Sequence, residues 1–234
     1  RLSTSAKCGY CIGRRGRFRA GAASKERHLK AARLHSPGDP NNYVYEDAPD
    51  PAPRPGEVLV RVRAVALNHL EAWAAKDQSG RRYEPPRILG ADVAGVVEAA
   101  GDGVRSAAAG AEVMLHPGVS CGVCRACADG DDNLCDQYRL LGQGRDGGMA
   151  ELVVVPAANV MPKPANLSFE EAASIPLVFT TALHMILTRA RIRFGETVLV
   201  NAAGSGVGVA AIQIAKLHGA RVIASAGSEP KLTK

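Results

Sequence analysis

Residues 197–225 read TVLVNAAGSGVGVAAIQIAKLHGARVIAS, and the order strand, small-residue turn, helix, strand is written into that stretch. Thr197 to Val200 is apolar and β-branched, the composition of a strand buried on both faces of a parallel sheet. Ala202, Ala203, Gly204, Ser205, Gly206, Val207 and Gly208 follow at once. From Val207 the apolar period becomes helical, with Val207, Ala210, Ala211, Ile214 and Leu217 on one face and Gln213 and Lys216 elsewhere. Gly219 stops the helix, and Lys216 and His218 sit in its last turn, where cations suit the dipole. A small-residue turn opening onto a helix N-terminus leaves backbone N–H groups free for an anion, and its glycines let a pyrophosphate approach without a Cβ in the way. The stretch is read as a dinucleotide site, with Ala203, Gly204, Ser205, Gly206, Val207 and Gly208 against the phosphates.

The acidic residue that would bind the ribose hydroxyls of NAD is expected about 20 residues on, at the end of the second strand. Ala226 and Gly227 stand there instead, with Ser228 and Lys231 just beyond to meet a 2′-phosphate. NADP(H) is therefore favoured over NAD(H). Ser228 equally suits the N-cap of a helix starting at Glu229 or Pro230.

The chain has 234 residues, 46% of them hydrophobic, enough for one large or two ordinary domains. Its net charge of +6 is not spread evenly: residues 1–30 hold nine Lys/Arg and one Glu, so the remainder carries 20 Lys/Arg against 22 Asp/Glu. A slightly acidic body argues against a nucleic-acid partner, and no apolar run reaches the ~18 residues that span a bilayer. The chain is expected to be cytoplasmic, with no membrane partner. Residues 1–28 are rich in Arg, Gly, Ser and Ala with no apolar period, and are read as a disordered or non-native basic extension. Their composition also suits a mitochondrial presequence, and Cys8 and Cys11 form a CxxC with no second pair nearby.

From Leu29 the pattern is that of an all-β domain with a small barrel core. Val58, Val60, Val62 and Ala64 alternate with Leu59, Arg61 and Arg63, a half-buried antiparallel strand, and Pro49, Pro51, Pro53 and Pro55 lead into it extended. Another strand is expected over Met149 to Pro156. Within this domain CGVCRACADGDDNLC spaces Cys121, Cys124, Cys127 and Cys135 as CxxCxxCx7C. Three thiolates in a tight knuckle and a fourth returning from a polar loop suit a tetrahedral Zn²⁺, the alternatives being two disulfides or four unconnected thiols. Four protein ligands close the shell, so the zinc is structural, in a lobe that lacks an apolar core. Ser168 with Glu171 forms a capping box that starts a helix, and a second helix follows Pro176.

The cysteine knuckle, the barrel-like β domain and AAGSGVG together resemble the zinc-containing medium-chain dehydrogenase/reductase family, and within it the quinone-reductase-like branch. The resemblance runs from residue 29 to 234 through PGEVLVRVRAVALNHLEAW, ILGADVAGVVEAAGDGV, the four-Cys lobe and GGMAELVVVP. It implies α/β plus all-β architecture: a GroES-like β-barrel domain at 29–160 with its zinc lobe at 121–135, then the first βαβ part of a Rossmann fold at 161–234. The active site is implied in the cleft between them. The three ligands that hold a catalytic zinc in the family's alcohol dehydrogenases correspond to Asn68, Ala91 and Leu177, none of them a ligand, although Asp92 keeps an acidic neighbour. The resemblance thus implies an NADPH-dependent oxidoreductase without catalytic zinc, passing hydride to a quinone, enone or other conjugated carbonyl. Asn68 is the candidate hydrogen-bond donor and His69 the candidate proton source, since imidazole ordinarily titrates near neutrality; His69 equally suits a surface or packing role. Thr181 matches the family Thr that lies against the nicotinamide, or is an ordinary buried helix Thr. Trp73 is expected in the core, the alternative being that it lines the cleft. The partners implied are a small carbonyl or quinone substrate and, at full length, other copies of the chain. The second half of the dinucleotide fold has no counterpart before Lys234, so the chain reads as C-terminally truncated. A zinc alcohol dehydrogenase with an aberrant ligand set and a non-enzymatic zinc-binding fragment are the competing readings.

Overall fold

The computed structural model describes residues 28–77 and 84–232, and the basic extension up to residue 27, with Cys8 and Cys11, lies outside them. The chain opens with β1 (His28–Leu34), antiparallel to β2 (Tyr43–Pro49). Pro51, Pro53 and Pro55 hold the connection extended, and a turn at residues 55–56 delivers it into β3 (Glu57–Ala66). Val58 and Val60 of β3 are fully buried while Arg61 and Arg63 are exposed, the alternation the sequence implied. After α1 (His69–Ala75), the short β4 (Arg87–Ile88) completes a three-stranded sheet in the order β2-β1-β4. Then come β5 (Asp92–Ala100) and β6 (Glu112–Leu115). The hairpin strands β7 (Gly118–Val119) and β8 (Arg139–Leu140) bracket the cysteine lobe and its one-turn α2 (Arg125–Ala128). With β9 (Leu152–Pro156) and β10 (Val160–Pro162), a five-stranded antiparallel sheet forms in the order β10-β6-β5-β3-β9.

Val58, Val60, Val93, Val97, Leu115 and Val155 make the core beneath that sheet. An Ala31–Ala150 bridge and the bond from Ala32 N–H to Met149 O (2.8 Å) join the two sheets, curling them toward a barrel. The strand expected from Met149 begins only at Leu152. Upstream of it the backbone lies on the 88–90 segment, with Gly147 N–H bonded to Ile88 O and Met149 N–H to Leu89 O, each 2.9 Å. A Cβ on Gly147 or Gly148 would collide with Gly90 or Val93, so close approach takes the place of pairing there.

The expected capping box is present: Ser168 Oγ accepts from Glu171 N–H at 3.1 Å and Glu171 accepts from Ser168 N–H at 2.8 Å, starting α3 (Phe169–Ala173). Ala172 and Ala173 are buried against Ala94 of β5. β10 pairs with β6, and α3 packs on β5. The part that follows begins at α4 (Pro176–Leu183), which runs on as a π-helical turn over His184–Arg189. It continues with β11 (Thr197–Val200), α5 (Gly206–Leu217), β12 (Arg221–Ala224) and the short α6 (Glu229–Leu232). β11 and β12 pair in parallel, Thr197 with Arg221 through Val200 with Ala224.

The strands have a composition that suits burial on both faces, and one face is covered: α4 and α5 pack over Val200, while Leu199 is 60% and Ile223 47% exposed on the other side. One expectation about this part needs correction. Leu217 does not join the buried face of α5, being 84% exposed, because the stripe passes from Ala211 to Ala215, one turn on, and leaves Leu217 facing out.

Candidate active-site cleft and cysteine lobe

The turn that opens α5 is built as its small residues require. Ser205 is the N-cap, its Oγ accepting from Gly208 N–H at 3.0 Å. A Cβ on Gly208 would lie 2.5 Å from Ala202 O, and one on Gly206 would meet Val178 of α4 at 3.0 Å, so both glycines are fixed by space. Ala203 N–H bonds to Ser225 O at 2.9 Å, tying the turn to the end of β12. Lys231 of α6 lays its aliphatic stem along Gly204, where a Cβ would stand 3.4 Å from Cδ. Ser228 lies directly before α6 and its carbonyl accepts from Lys231 N–H at 3.1 Å. The structure thus brings Lys231 to the glycine turn and gives Ser228 a place at the helix start.

Ser205, Gly206 and Val207 form one wall of a cleft of about 1140 Å³, and Asn68, His69 and Trp73 form part of the other. The first amides of a helix have no intrahelical acceptor, so this wall offers donors to an anionic ligand. Thr181 is exposed at the cleft rather than buried, its Oγ1 donating to Leu177 O at 2.7 Å. His69 also lines the cleft and packs on Trp73, with ring centroids 5.8 Å apart. Trp73, expected in the core, is 49% exposed on the same wall.

At the floor, the three positions matched to zinc ligands do come together, but around carboxylates. Asp92, 1% exposed, accepts from Asn68 Nδ2 at 2.8 Å and from Leu177 N–H at 2.7 Å. Burial pushes its carboxyl up to about 6, against these two hydrogen bonds and with the nearby Glu71 adding to the rise. Glu71, also buried, accepts from Asn68 N–H at 2.7 Å and from Ala91 N–H at 3.2 Å. One acid thus clamps the β domain to α4 and the other locks the entry to α1. Sequence reasoning missed Glu71, although Asn68-x-x-Glu71 has the capping-box spacing that identified Ser168.

The four cysteines of the lobe converge, their sulfurs all within 4.8 Å of one another, Cys124 to Cys127 at 3.5 Å and Cys121 to Cys127 at 3.9 Å. A tetrahedral ion with Zn–S bonds of about 2.3 Å has sulfur–sulfur edges near 3.8 Å, so the set fits one. Backbone N–H groups turn toward the sulfurs, Cys124 onto Cys121 at 3.3 Å and Cys121 onto Cys135 at 3.4 Å. Donation from Val123 and Cys124 lowers the Cys121 thiol to about 6, toward the thiolate that a metal requires. Neither helical turn of the lobe buries a residue, and Val123 and Leu134 are 87% and 66% exposed. Among the described residues no other cluster of His, Cys, Asp or Glu side chains is poised for a metal.

Residues 54–165 match the alcohol dehydrogenase GroES-like domain family. The chain is 31% identical over 208 residues to quinone oxidoreductase of Rattus norvegicus, covering 88% of this chain and 55% of that protein. It is 33% identical over 194 residues to acryloyl-coenzyme A reductase of Metallosphaera sedula, covering 83% and 58%. The crystal structure of an NAD-dependent alcohol dehydrogenase superposes with a TM-score of 0.85 at 54% identity, over 87% of this chain and 60% of that one. The chain therefore spans between 55% and 60% of the length of these relatives. With a GroES-like sheet, a glycine turn opening onto α5 and these likenesses in agreement, the chain belongs to the medium-chain dehydrogenase/reductase family.

Proposed function

We propose that this chain carries the catalytic cleft of an NADPH-dependent reductase that delivers hydride to a quinone, enone or other conjugated carbonyl without a catalytic metal. The observation that carries the reading is the floor of the cleft, where Asn68 reaches Asp92 with its side-chain amide while Ala91 and Leu177 bond to Glu71 and Asp92 through backbone N–H groups, and neither has a side chain that ligates a metal. A Lewis-acid zinc needs three protein ligands and an open position, and this floor does not supply them. Reduction of a conjugated carbonyl needs only a donor for the developing enolate and a proton. Asn68 has one amide hydrogen committed to Asp92 and a second for the carbonyl oxygen. His69, exposed at the cleft, is the proton source. When bound, the nicotinamide would supply the hydride; Thr181 would lie against it, and the turn from Ala203 to Gly208, with the free amides of Gly206 and Val207, would hold the phosphates.

NADP(H) is favoured because Ala226 and Gly227 offer no carboxylate to the ribose while Lys231 reaches the glycine turn. Cys121, Cys124, Cys127 and Cys135 hold one structural zinc, whose binding energy, on the order of 10 kcal/mol, replaces the apolar core that the lobe lacks. The 54% identical neighbour is described as an NAD-dependent alcohol dehydrogenase, and that favours a second reading, NAD-dependent alcohol oxidation. Metal analysis with nucleotide titration separates the two. One zinc per chain and tighter NADPH than NADH binding support the reductase; a second tightly held zinc, or preference for NADH, supports the alcohol dehydrogenase. No saturable binding of either nucleotide leaves only a zinc-binding fragment.

A further inference from the structure

The reductase reading uses His69 on the outward face of α1 and gives its neighbour Trp73 no role. Glu71, Ala74 and Ala75 are buried, whereas His69, Ala72 and Trp73 face outward. His69 and Trp73 are four residues apart, one helical turn, so their rings meet at 5.8 Å with 35° between planes. The indole is 49% exposed, and Leu67 beside it on the same wall is 69% exposed. A large apolar surface left open inside a cleft, with its orientation fixed by a second ring, is a prepared stacking face. The charge of the cleft points the same way. Among the described residues that line it there is no Lys or Arg, and the ionisable acids are Glu71 and Asp92. None of these described lining residues offers a cation to an acceptor that carries phosphates of its own.

We infer that Trp73, backed by His69, determines acceptor specificity: it is a platform for a flat, uncharged, aromatic acceptor such as a naphthoquinone, and the cleft disfavours a polyanionic coenzyme A thioester. The inference rests on the reductase reading and narrows its substrate class. A flat ring covers the indole and displaces loosely held water, whereas a thioester chain leaves most of the indole bare and brings anions toward Glu71 and Asp92.

Trp73 is the only Trp in the chain, so its emission reads the cleft directly. With the full chain, 1,4-naphthoquinone is expected to quench that emission saturably, and crotonyl-coenzyme A at the same concentration to leave it unchanged. By calorimetry, Trp73→Leu should weaken naphthoquinone binding about ten-fold and Trp73→Phe no more than roughly three-fold, since a phenyl ring keeps a stacking face. Unaltered melting and zinc content in both variants show that the fold is kept. Equal naphthoquinone affinity in the unmutated chain and Trp73→Leu overturns the inference, as does thioester binding at least as tight as the quinone's. Absence of saturable quinone binding overturns it as well. NADPH titrated alongside then shows whether the reductase reading falls too, because that reading requires nucleotide binding and the platform does not.

Discussion

Asp92 is almost completely buried, and burial makes its carboxyl hold its proton to higher pH than usual, so the floor of the cleft contributes to stability in a pH-dependent way. Its folded value, about 6, lies above the ordinary 3.8, so between those values the folded chain binds a proton that the unfolded chain releases. Stability contributed by this group is then full below about pH 4 and lost as pH rises toward 6. A two-unit difference corresponds to something on the order of 3 kcal/mol. Asp92→Asn cannot titrate, so the urea midpoint of the unmutated chain should fall relative to the variant between pH 4 and 6. Parallel pH profiles for the two proteins would show that Asp92 is ionised in both states. The variant should also be less stable overall at low pH, because an amide places a donor against one of the two donors that Asp92 now accepts, Asn68 Nδ2 and Leu177 N–H. Little of this was legible beforehand. Asp92 was visible in sequence as an acid next to a missing ligand, but one of its partners is a backbone N–H 85 residues away, and a backbone donor leaves no trace in residue identity. Trp73 was misplaced for a related reason: a lone Trp on a short helix suits core or cleft equally, and only the burial of Ala74 and Ala75 decides which face turns inward.

At the scale of single elements the local signals served well, because a turn or cap is decided by neighbours in sequence. Ser168 with Glu171 and Ser205 with the glycines after it start helices where expected, each through an oxygen three residues from the amide it accepts. The cysteine knuckle is local in the same sense, and its geometry makes a sharp prediction. Cys124→Ser leaves three sulfurs and no closed shell, in a lobe with nothing apolar to fall back on. Zinc content should drop toward zero and the melting temperature should fall with it, by on the order of 5–10 °C. Elemental analysis beside calorimetry reads both, and unchanged stoichiometry would mean that the four sulfurs are not the ligand set. The turn between β12 and α6 carries another prediction. The stem of Lys231 lies along Gly204, and on the NADP(H) reading its ammonium would pair with the ribose phosphate, so Lys231→Ala should weaken NADPH about ten-fold while leaving NADH almost unaffected. Equal affinity for the two nucleotides in the unmutated chain would remove the basis for NADP(H). Where an element depends on distant chain, sequence did worse: the strand expected from Met149 starts at Leu152 because the preceding glycines are held by residues 88–90, about 60 positions earlier.

Across the whole molecule the burial is uneven. The β domain encloses Val58, Val60, Val93 and Val155 beneath a five-stranded sheet, whereas β11 and β12 form a two-stranded sheet among the described residues, with helices on one side. The apolar composition of these strands states what a strand can bury but not what lies over it. On the open side Leu199 and Ile223 stand directly opposite each other in the ladder, 60% and 47% exposed, and Phe194 and Leu217 are 89% and 84% exposed nearby in the chain. Two-stranded sheets are marginal in water, and an exposed apolar pair such as Leu199 and Ile223 on an uncovered sheet face favours association. The chain studied as such should therefore open unevenly: backbone amides of 197–225 should exchange quickly while those of β3 exchange slowly, within one sample. It should also associate as its concentration rises, and replacing both Leu199 and Ile223 by Lys should reduce that association without slowing or speeding exchange in β3, since neither residue touches its core. Sedimentation at several concentrations, with hydrogen exchange on the same material, checks both parts. A monodisperse monomer with equal protection in β3 and β11 would show that the first βαβ unit is stable with one face bare, and that the exposed Leu199–Ile223 pair is not what limits it.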